Sequence, residues 1–260
     1  MLLGTWNVNS LRARLPRVLD WLNTRAPDVV ALQETKCTEN NLPRAELEAA
    51  GYEVAHAGIS QWNGVAVLSR VGLTDVVTGF DGMPDFEGVT EARALGATCG
   101  GVRIWSLYIP NGRVPDSPHY PYKLAWLSAL RTAAADWLTA DPQLPIALTG
   151  DFNIAPTDED VWDPAVFEGS THVTAPERAA FTALVDTGYA DLVRPYAPGP
   201  GTYTYWDYQQ LRFPRREGMR IDFILGSPAL GARVNGARID REARKGKGPS
   251  DHAPVLIELG

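Results

Sequence analysis

"LPIALTGDFNIAP", residues 144–156, is the stretch on which the fold turns. Ile146, Ala147 and Leu148 form an apolar run between Pro145 and Gly150, too short for a helix, and read as a buried strand. That strand runs straight into a polar loop carrying Asp151 and Asn153. The same design recurs along the chain. "TWNVNS" (5–10) puts Asn7 and Asn9 at a strand end, and "ALQETK" (31–36) puts Glu34 after an apolar run. "SLYIPNGR" (106–113) delivers Tyr108 and Asn111, "MRIDFIL" (219–225) sets Asp222 inside an apolar strand, and "PSDHAPV" (249–255) supplies Asp251 and His252.

Between these stretches, apolar runs alternate with turn signals, with no long linker or usable repeat. Leu11, Leu15, Val18, Leu19 and Leu22 recur at helical spacing after the first strand, and "RAELEAAG" (44–51) reads as a short helix stopped by Gly51. The strongest helix spans 119–139, with Leu124, Leu127, Leu130, Ala134, Trp137 and Leu138 on one face. A shorter one is expected around 177–187. Strands are expected in "GYEVAHAG", "NGVAVLSR", "EARALGATCG", "GVRIWSLYIP", "GTYTYWDY" (201–208) and the terminal "VLIEL", with a hairpin at Gly100-Gly101. This mixture of hairpins and crossovers implies an α/β fold: two mixed sheets packed face to face with helices outside, as a single domain over 1–260.

A chain of 260 residues, 45% hydrophobic and 21% charged, has an ordinary globular composition and length enough to bury a sizeable core. No apolar run reaches the roughly 20 residues of a membrane span, so no membrane partner is expected. "MLLGTWNVNS" lacks the basic, then apolar, pattern of a secretory leader. Cys37 and Cys99 make neither a disulfide framework nor a C-x-x-C site, and a cytoplasmic monomer is the expectation. The net charge of −7 argues at first against a nucleic-acid partner. It is unevenly spread: Arg212 to Lys247 holds ten Lys/Arg against four acids, a local +6, which leaves −13 elsewhere. Acidic metal ligands beside a phosphate-binding rim would give that asymmetry, although a charge run is more often a solvated face.

Taken singly, each polar residue has a commonplace explanation. Glu34 suits a surface ion pair, Asp151-Phe152-Asn153 an Asx-turn, Tyr108 an amphipathic core and His252 a satisfied structural histidine. Six strand ends repeating the pattern outweigh these readings together, and Asp222, buried in an apolar strand, requires a partner. Hard oxygen ligands without a cysteine or histidine pair point to Mg²⁺ or Mn²⁺. An ion held by Glu34 and Asp251, with Asn7 or Asp151 near, would neutralise a phosphodiester oxygen and the departing alkoxide. In that scheme Asp151 is a general base, Asn153 orients the attacking water, and His252 donates to the phosphate while oriented by Asp222. Tyr108 is a second donor, or a phenolate near the ion.

Assembled in order, "TWNVNSLRAR", "LQETK", "NGVAVLSR", "YIPNGR", "GDFNIAPTDEDVWDP", "TYWDY", "RIDFIL" and "SDHAPV" resemble the exonuclease III family of DNA-repair nucleases, within the endonuclease/exonuclease/phosphatase superfamily. The resemblance covers essentially the whole chain. It implies a four-layered α/β sandwich and Mg²⁺-dependent cleavage of DNA phosphodiesters. The implied activities are incision 5′ to abasic sites, 3′-end trimming and 3′→5′ exonuclease action on double-stranded DNA. By matching positions Glu34 is the main metal ligand and Asp251 a further one. Asn7, Tyr108, Asp151, Asn153, Asp222 and His252 fall on other active-site positions, and Asn7, Asp151 and Asn153 also stand as metal-ligand candidates. An abasic-sugar pocket would involve Tyr205, Trp206, Met219 and Ile221. Arg113, Lys123, Arg212, Arg215, Arg216 and Arg220 would lie against the DNA backbone. Two positions vary from the family pattern: Asn9 stands where some members have an Asp metal ligand, which weakens the case for a second ion, and Phe223 where many bacterial relatives carry His, which concerns packing. Two other readings remain, a superfamily relative acting on lipid or inositol phosphates and a DNA-binding homologue without catalysis. "YIPNGR" and "TYWDY" oppose the first, and the complete set of catalytic positions opposes the second.

Overall fold

The computed structural model describes all residues, Met1–Gly260. Twelve strands form in chain order: β1 (Leu2–Asn7), β2 (Val29–Gln33), β3 (Glu53–Ala57), β4 (Val65–Ser69), β5 (Thr74–Thr78), β6 (Ala94–Cys99), β7 (Val102–Tyr108), β8 (Ile146–Asp151), β9 (Ala190–Asp191), β10 (Asp222–Gly226), β11 (Val234–Ile239) and β12 (Val255–Leu259). They make two six-stranded sheets, ordered β11-β12-β1-β2-β4-β3 and β5-β6-β7-β8-β10-β9. β1 pairs with β2 in parallel, as does β7 with β8, and the other ladders are antiparallel. The principal helices are α1 (Leu11–Arg25), α2 (Arg44–Ala49), α3 (His119–Ala140) and α4 (Ala175–Val185).

Strand alternation decides which side chains meet where. Leu3, Val29, Val67, Leu95, Ile104, Ala147, Ile224, Val255 and Ile257 share one apolar cluster, which fills the space between the sheets. The intervening residues face outward. Trp6, Val30, Leu32 and Leu256 pack with Leu11, Val18 and Leu22 of α1 and Leu47 of α2. Trp105, Ile146, Leu148, Phe223 and Leu225 pack with Trp126, Leu127 and Leu130 of α3 and Phe181 of α4. The result is helix, sheet, sheet, helix: the four-layered sandwich expected from the sequence. Phe223 packs edge-on against Phe152 and close to Phe181, with the Arg220 guanidinium 4.5 Å from its ring centroid.

The same alternation carries polar residues into the space between the sheets towards one end. Thr5, Gln33 and Ser106 form a buried seam there, in which the Gln33 amide donates to Thr5 Oγ1 (3.1 Å) and Ser106 Oγ (3.0 Å). Beyond the seam, on the same faces, come Asn7, Tyr108, Asp151 and Asp222. Asp222 stands opposite Asp151 in the β8–β10 register, and Tyr108 opposite Asp151 in the β7–β8 register. Gly150 is obligatory at this crossing. Its φ is +143°, and a Cβ there would lie 1.9 Å from the Leu107 carbonyl oxygen.

The Gly100-Gly101 hairpin forms as expected, with Cys99 opposite Val102. "GTYTYWDY" is not a strand: Tyr205 makes isolated bridges to Met219 and His252, and the segment crosses the sheet ends instead of extending a ladder. β5, β9 and β11 went unread, because β5 is exposed along its whole length and β11 is nowhere fully buried. No helix is long and apolar enough to cross a membrane.

Candidate active site

The polar strand ends converge on one cleft of about 550 Å³, lined by Glu34, Tyr108, Asn111, Asp151, Asn153, Tyr205, Met219, Ile221, Asp251 and His252 among others. Backbone geometry at its rim departs from the ordinary. Asn9, Glu34, Lys36 and Asn153 all take positive φ, between 44° and 52°. Such conformations are costly for residues with a Cβ and persist where surrounding bonds enforce them. They turn the chain sharply at the strand ends, so that the side chains reach back over the cleft.

Asn7 joins the two sheets here. Its Nδ2 donates to Glu34 Oε1 (2.8 Å) and to Asp151 Oδ2 (2.9 Å), while its Oδ1 accepts from the Asn9 amide (3.0 Å). Asn7 therefore bridges the carboxylates as a donor, and its oxygen faces away from the ligand side. Glu34 also pairs with Lys36 (2.7 Å). Burial pushes the Glu34 carboxyl up, but Lys36 and Asn7 outweigh it and hold the group below its ordinary value. Asp151 is less compensated. Burial raises it, with the charges of Asp222 and Glu34 adding to the effect against His252, and its pKa reaches about 7.

His252 sits between two acids. Its Nδ1 donates to both oxygens of Asp222 (3.1 and 2.9 Å), and its Nε2 lies 3.8 Å from Asp151 Oδ2. Burial opposes protonation, yet Asp222 and Asp151 overcome it and raise the imidazole to about 10. At neutral pH the ring is thus a cation with a proton on Nε2, a donor toward the cleft and not a metal ligand. Tyr108 is pushed far above the usual tyrosine range by burial and by Glu34, so it remains a neutral phenol.

Ligand atoms of Glu34, Asp151 and His252 lie within 4.8 Å of one another. With His252 protonated, the donor set fit for a hard divalent cation is carboxylate oxygen, from Glu34 and Asp151. Two close buried acids, one with a raised pKa, are a site that a cation would relieve. Asp251 lines the same cleft, where its Oδ1 accepts from Asn9 Nδ2 (3.0 Å). Asn153 is committed elsewhere. Its Nδ2 donates to the Ile109 carbonyl (3.0 Å), and its Oδ1 accepts from Asn111 Nδ2 (3.0 Å) with His172 Nε2 also at 3.0 Å.

Three expectations fail on burial. Lys123 does not face DNA: it is fully buried, and its three ammonium protons go to the Asn111 carbonyl (3.2 Å), the Asn153 carbonyl (2.6 Å) and Glu177. Arg220 is likewise buried, paired with Asp160 and Asp191. Trp206 is buried behind the cleft with Tyr203 and Ala253 and does not line it, whereas Tyr205, Met219 and Ile221 do. Arg212 is tied to Glu217 and stacked over Trp162. Arg113, Arg215 and Arg216 remain exposed.

Several residues of the cleft were not singled out from sequence. His172 lines it at φ +81° and is held neutral, its pKa lowered to about 3 by burial and by Lys123. "STHVT" (170–174) carries no signal of its own, and only the fold brings this loop to the cleft. Lys36 lay inside a quoted motif but without a role. It donates to Asn9 Oδ1 (2.6 Å) as well as pairing with Glu34. Leu211, the most exposed large hydrophobic residue at 71%, projects from a loop in which Gln210, Leu211 and Arg216 all have positive φ.

The endonuclease/exonuclease/phosphatase family model matches residues 4–252. The chain belongs to that family. Within the family it is 29% identical to an exodeoxyribonuclease of Bacillus subtilis, over 99% of this chain and 98% of the relative. A Neisseria 3′ phosphatase, NExo, solved with product DNA hairpin, superposes with a TM-score of 0.95 at 40% identity, covering 100% of this chain and 99% of that one. An Archaeoglobus fulgidus AP endonuclease gives 0.93 at 33% identity, covering 100% and 99%. This family member is accordingly a phosphodiester hydrolase of the exodeoxyribonuclease III and AP endonuclease type, in a divalent-metal-dependent family.

Proposed function

We propose that the chain is a Mg²⁺-dependent DNA-repair nuclease that processes 3′ ends of duplex DNA, removing 3′ phosphates and terminal nucleotides, and incises 5′ to abasic sites. The observation that carries the reading is the pairing of an imidazolium, His252, with the close carboxylates Glu34 and Asp151 in one cleft. That combination suits an anionic ester: cationic donors for its oxygens, and carboxylates for a metal and a water. The names of the two structural relatives, a 3′ phosphatase and an AP endonuclease, support the two activities. Apolar Met219 and Ile221 beside Tyr205 offer a slot for a sugar without its base. Exposed Arg113, Arg215 and Arg216 supply backbone contacts, and protruding Leu211 is a wedge of the kind that unstacks base steps. The work would be done by a monomer in the cytoplasm, where Cys37 and Cys99 stay free thiols.

Glu34 and Asp151 would hold the cation, with Asp251 in the same cleft as a further ligand, and it would supply positive charge to a phosphate oxygen and to the departing alkoxide. The chain's own groups do the rest. Asp222 keeps the His252 ring protonated and aimed, so that Nε2–H donates to the phosphate. Tyr108 adds a neutral phenolic donor. Asp151, which lines the cleft 3.8 Å from His252 Nε2, is placed to take a proton from the attacking water. Asn7 holds Asp151 and Glu34 at a fixed separation.

The test is a duplex with one abasic analogue and a hairpin with a 3′ phosphate, each with Mg²⁺ or EDTA. Both products are expected with Mg²⁺ only, and Glu34→Ala or His252→Ala should abolish them. Undiminished cleavage by Glu34→Ala would remove the metal assignment, and wild-type protein inert on all DNA would overturn the function.

A further inference from the structure

His252 is tied to its strand by side chains. The β1–β12 ladder ends at the Thr5–Val255 pair, and Pro254 has no amide with which to extend it toward the histidine. His252 is nonetheless buried, so its amide and its carbonyl both need partners. Two consecutive residues of β1 supply them. Ser250 Oγ accepts from the His252 amide (3.2 Å) and donates to the Asn7 carbonyl (2.7 Å). On the helix side of the sheet, Trp6 Nε1 donates to the His252 carbonyl (3.1 Å). The flanking residues are held differently, backbone to backbone: the Trp206 amide donates to the Asp251 carbonyl (2.9 Å), and the Ala253 amide to the Thr204 carbonyl (2.7 Å). An indole thus stands in for the rung that the ladder lacks.

Trp6 is itself held in place. It is buried, with its ring centroid 5.3 Å from that of Trp21 on α1. Trp21 Nε1 donates to Asp240 Oδ2 (3.0 Å), which also accepts from Arg25 Nε (2.7 Å). The Asp240 amide in turn donates to the Pro254 carbonyl (2.8 Å). α1 therefore braces the turn behind the histidine, while Asp222 holds the imidazole in front. Asp222 fixes where the ring points, but the ring still starts from a Cα whose place is set by the peptide. Without the indole proton a buried carbonyl has no donor, and the peptide must turn to find one. We propose that Trp6 is a positioning residue for His252: its indole fixes the peptide from which the imidazole is directed at the phosphate. The inference rests on the nuclease reading above. It assigns part of the turnover to a side chain that does not line the cleft.

The experiment compares Trp6→Phe, which keeps an aromatic ring and loses the donor, with Trp21→Phe, which loses the other indole donor of the same pair. The substrate is a hairpin with a 3′ phosphate. Turnover is read with Mg²⁺, Kd by fluorescence anisotropy in EDTA, and Tm for each protein. Trp6→Phe should lower kcat by about tenfold to a hundredfold, the scale of a misplacement approaching one ångström, and leave Kd unchanged. Both variants should lose Tm, but Trp21→Phe should keep the wild-type kcat, since Arg25 still holds Asp240. An unchanged kcat in Trp6→Phe, equal losses of kcat in both variants, or a rise in Kd that accounts for the loss would each overturn the assignment and leave the nuclease reading intact. Wild-type protein inert on the hairpin would overturn both. If Trp6→Phe does not fold, the wild type decides the matter by nuclear magnetic resonance. When product hairpin binds in EDTA, the Trp6 indole N–H signal should shift while that of Trp21 stays. An unmoved Trp6 signal, or equal shifts of the two, would overturn the assignment.

Discussion

Asp222 has a short reach and one task. Both its oxygens accept from His252 Nδ1, and its charge is the leading force that raises the imidazole to about 10. Asp222→Asn keeps the shape and removes that charge. A loss in kcat of about 10²–10⁴ is expected, the range seen when the carboxylate behind a catalytic histidine is neutralised. The sign of its pH dependence follows. With the carboxylate gone the His252 pKa falls, so fewer molecules carry the Nε2 proton at pH 8 than at pH 6. Activity ratios of variant to wild type should therefore be lower at pH 8, and a pH-independent ratio would show that the charge is not what Asp222 contributes. At this scale the sequence was readable wherever alternation fixes a side chain's face: Asn7, Tyr108, Asp151 and Asp222 could be placed at strand ends before any coordinates. It was unreadable where the partner is distant in sequence. Lys123 looks like a surface lysine because Glu177, which takes its charge, lies 54 residues away. The same blindness applies to Arg220, and to His172, whose loop is held at the cleft by partners distant in sequence, among them the Glu177 carboxylate that accepts its amide (2.9 Å) and the Ala155 amide that donates to its carbonyl (2.8 Å).

Elements are held to the site by that buried pair. Lys123 on α3 grips the carbonyls of Asn111 and Asn153, and Glu177 on α4 accepts from Thr171, His172 and Thr174 as well as Lys123. Removing one partner strands the other, so Lys123→Met should cost about 3–5 kcal/mol in denaturant unfolding, and Lys123→Met with Glu177→Met should recover much of it. A double variant no better than the single would show that the cost is packing. Burial raises the Glu177 carboxyl, but Lys123 and its other donors prevail and set it below the ordinary value. A depressed acid contributes stability above its unfolded pKa and loses it as pH falls through the folded one. The stability deficit of Glu177→Gln should accordingly be full at pH 7 and shrink as pH drops below about 4. Gly150→Ala makes a harder test of β8: with the Leu107 carbonyl in the way, the β7–β8 ladder must open, and the variant should lose both Tm and activity. The elements that sequence missed are those without an apolar face. β5 exposes every residue, and "GTYTYWDY" has strand composition yet spends its backbone bonds on single bridges.

For the whole molecule, the basic stretch of Arg212 to Lys247 is less available than its count implies. Arg212, Arg215, Arg220 and Arg238 are engaged with acids, and Arg241 and Arg244 lie over aromatic rings. Each exposed arginine that touches a phosphate should contribute about 0.9 to the slope of log K against log salt concentration. Arg216→Ala is expected to reduce the measured slope by that amount, whereas Arg220→Gln should lower Tm and leave the slope unchanged. The four-layer architecture was legible because strand patterns and helix faces agree throughout the chain, while the number of basic residues facing DNA was over-read, because charge counts do not show which ions are already paired. One further consequence belongs to the seam between the sheets. Asn7 reaches Asp151 across it, His252 reaches Asp222, and Gln33 reaches Ser106. Each bond spans two sheets that share no strand ladder, so the catalytic constellation works as a vernier for the alignment of the two halves. A shear of one ångström would part these bonds while every ladder stayed whole, and turnover should vanish at a lower urea concentration than circular dichroism.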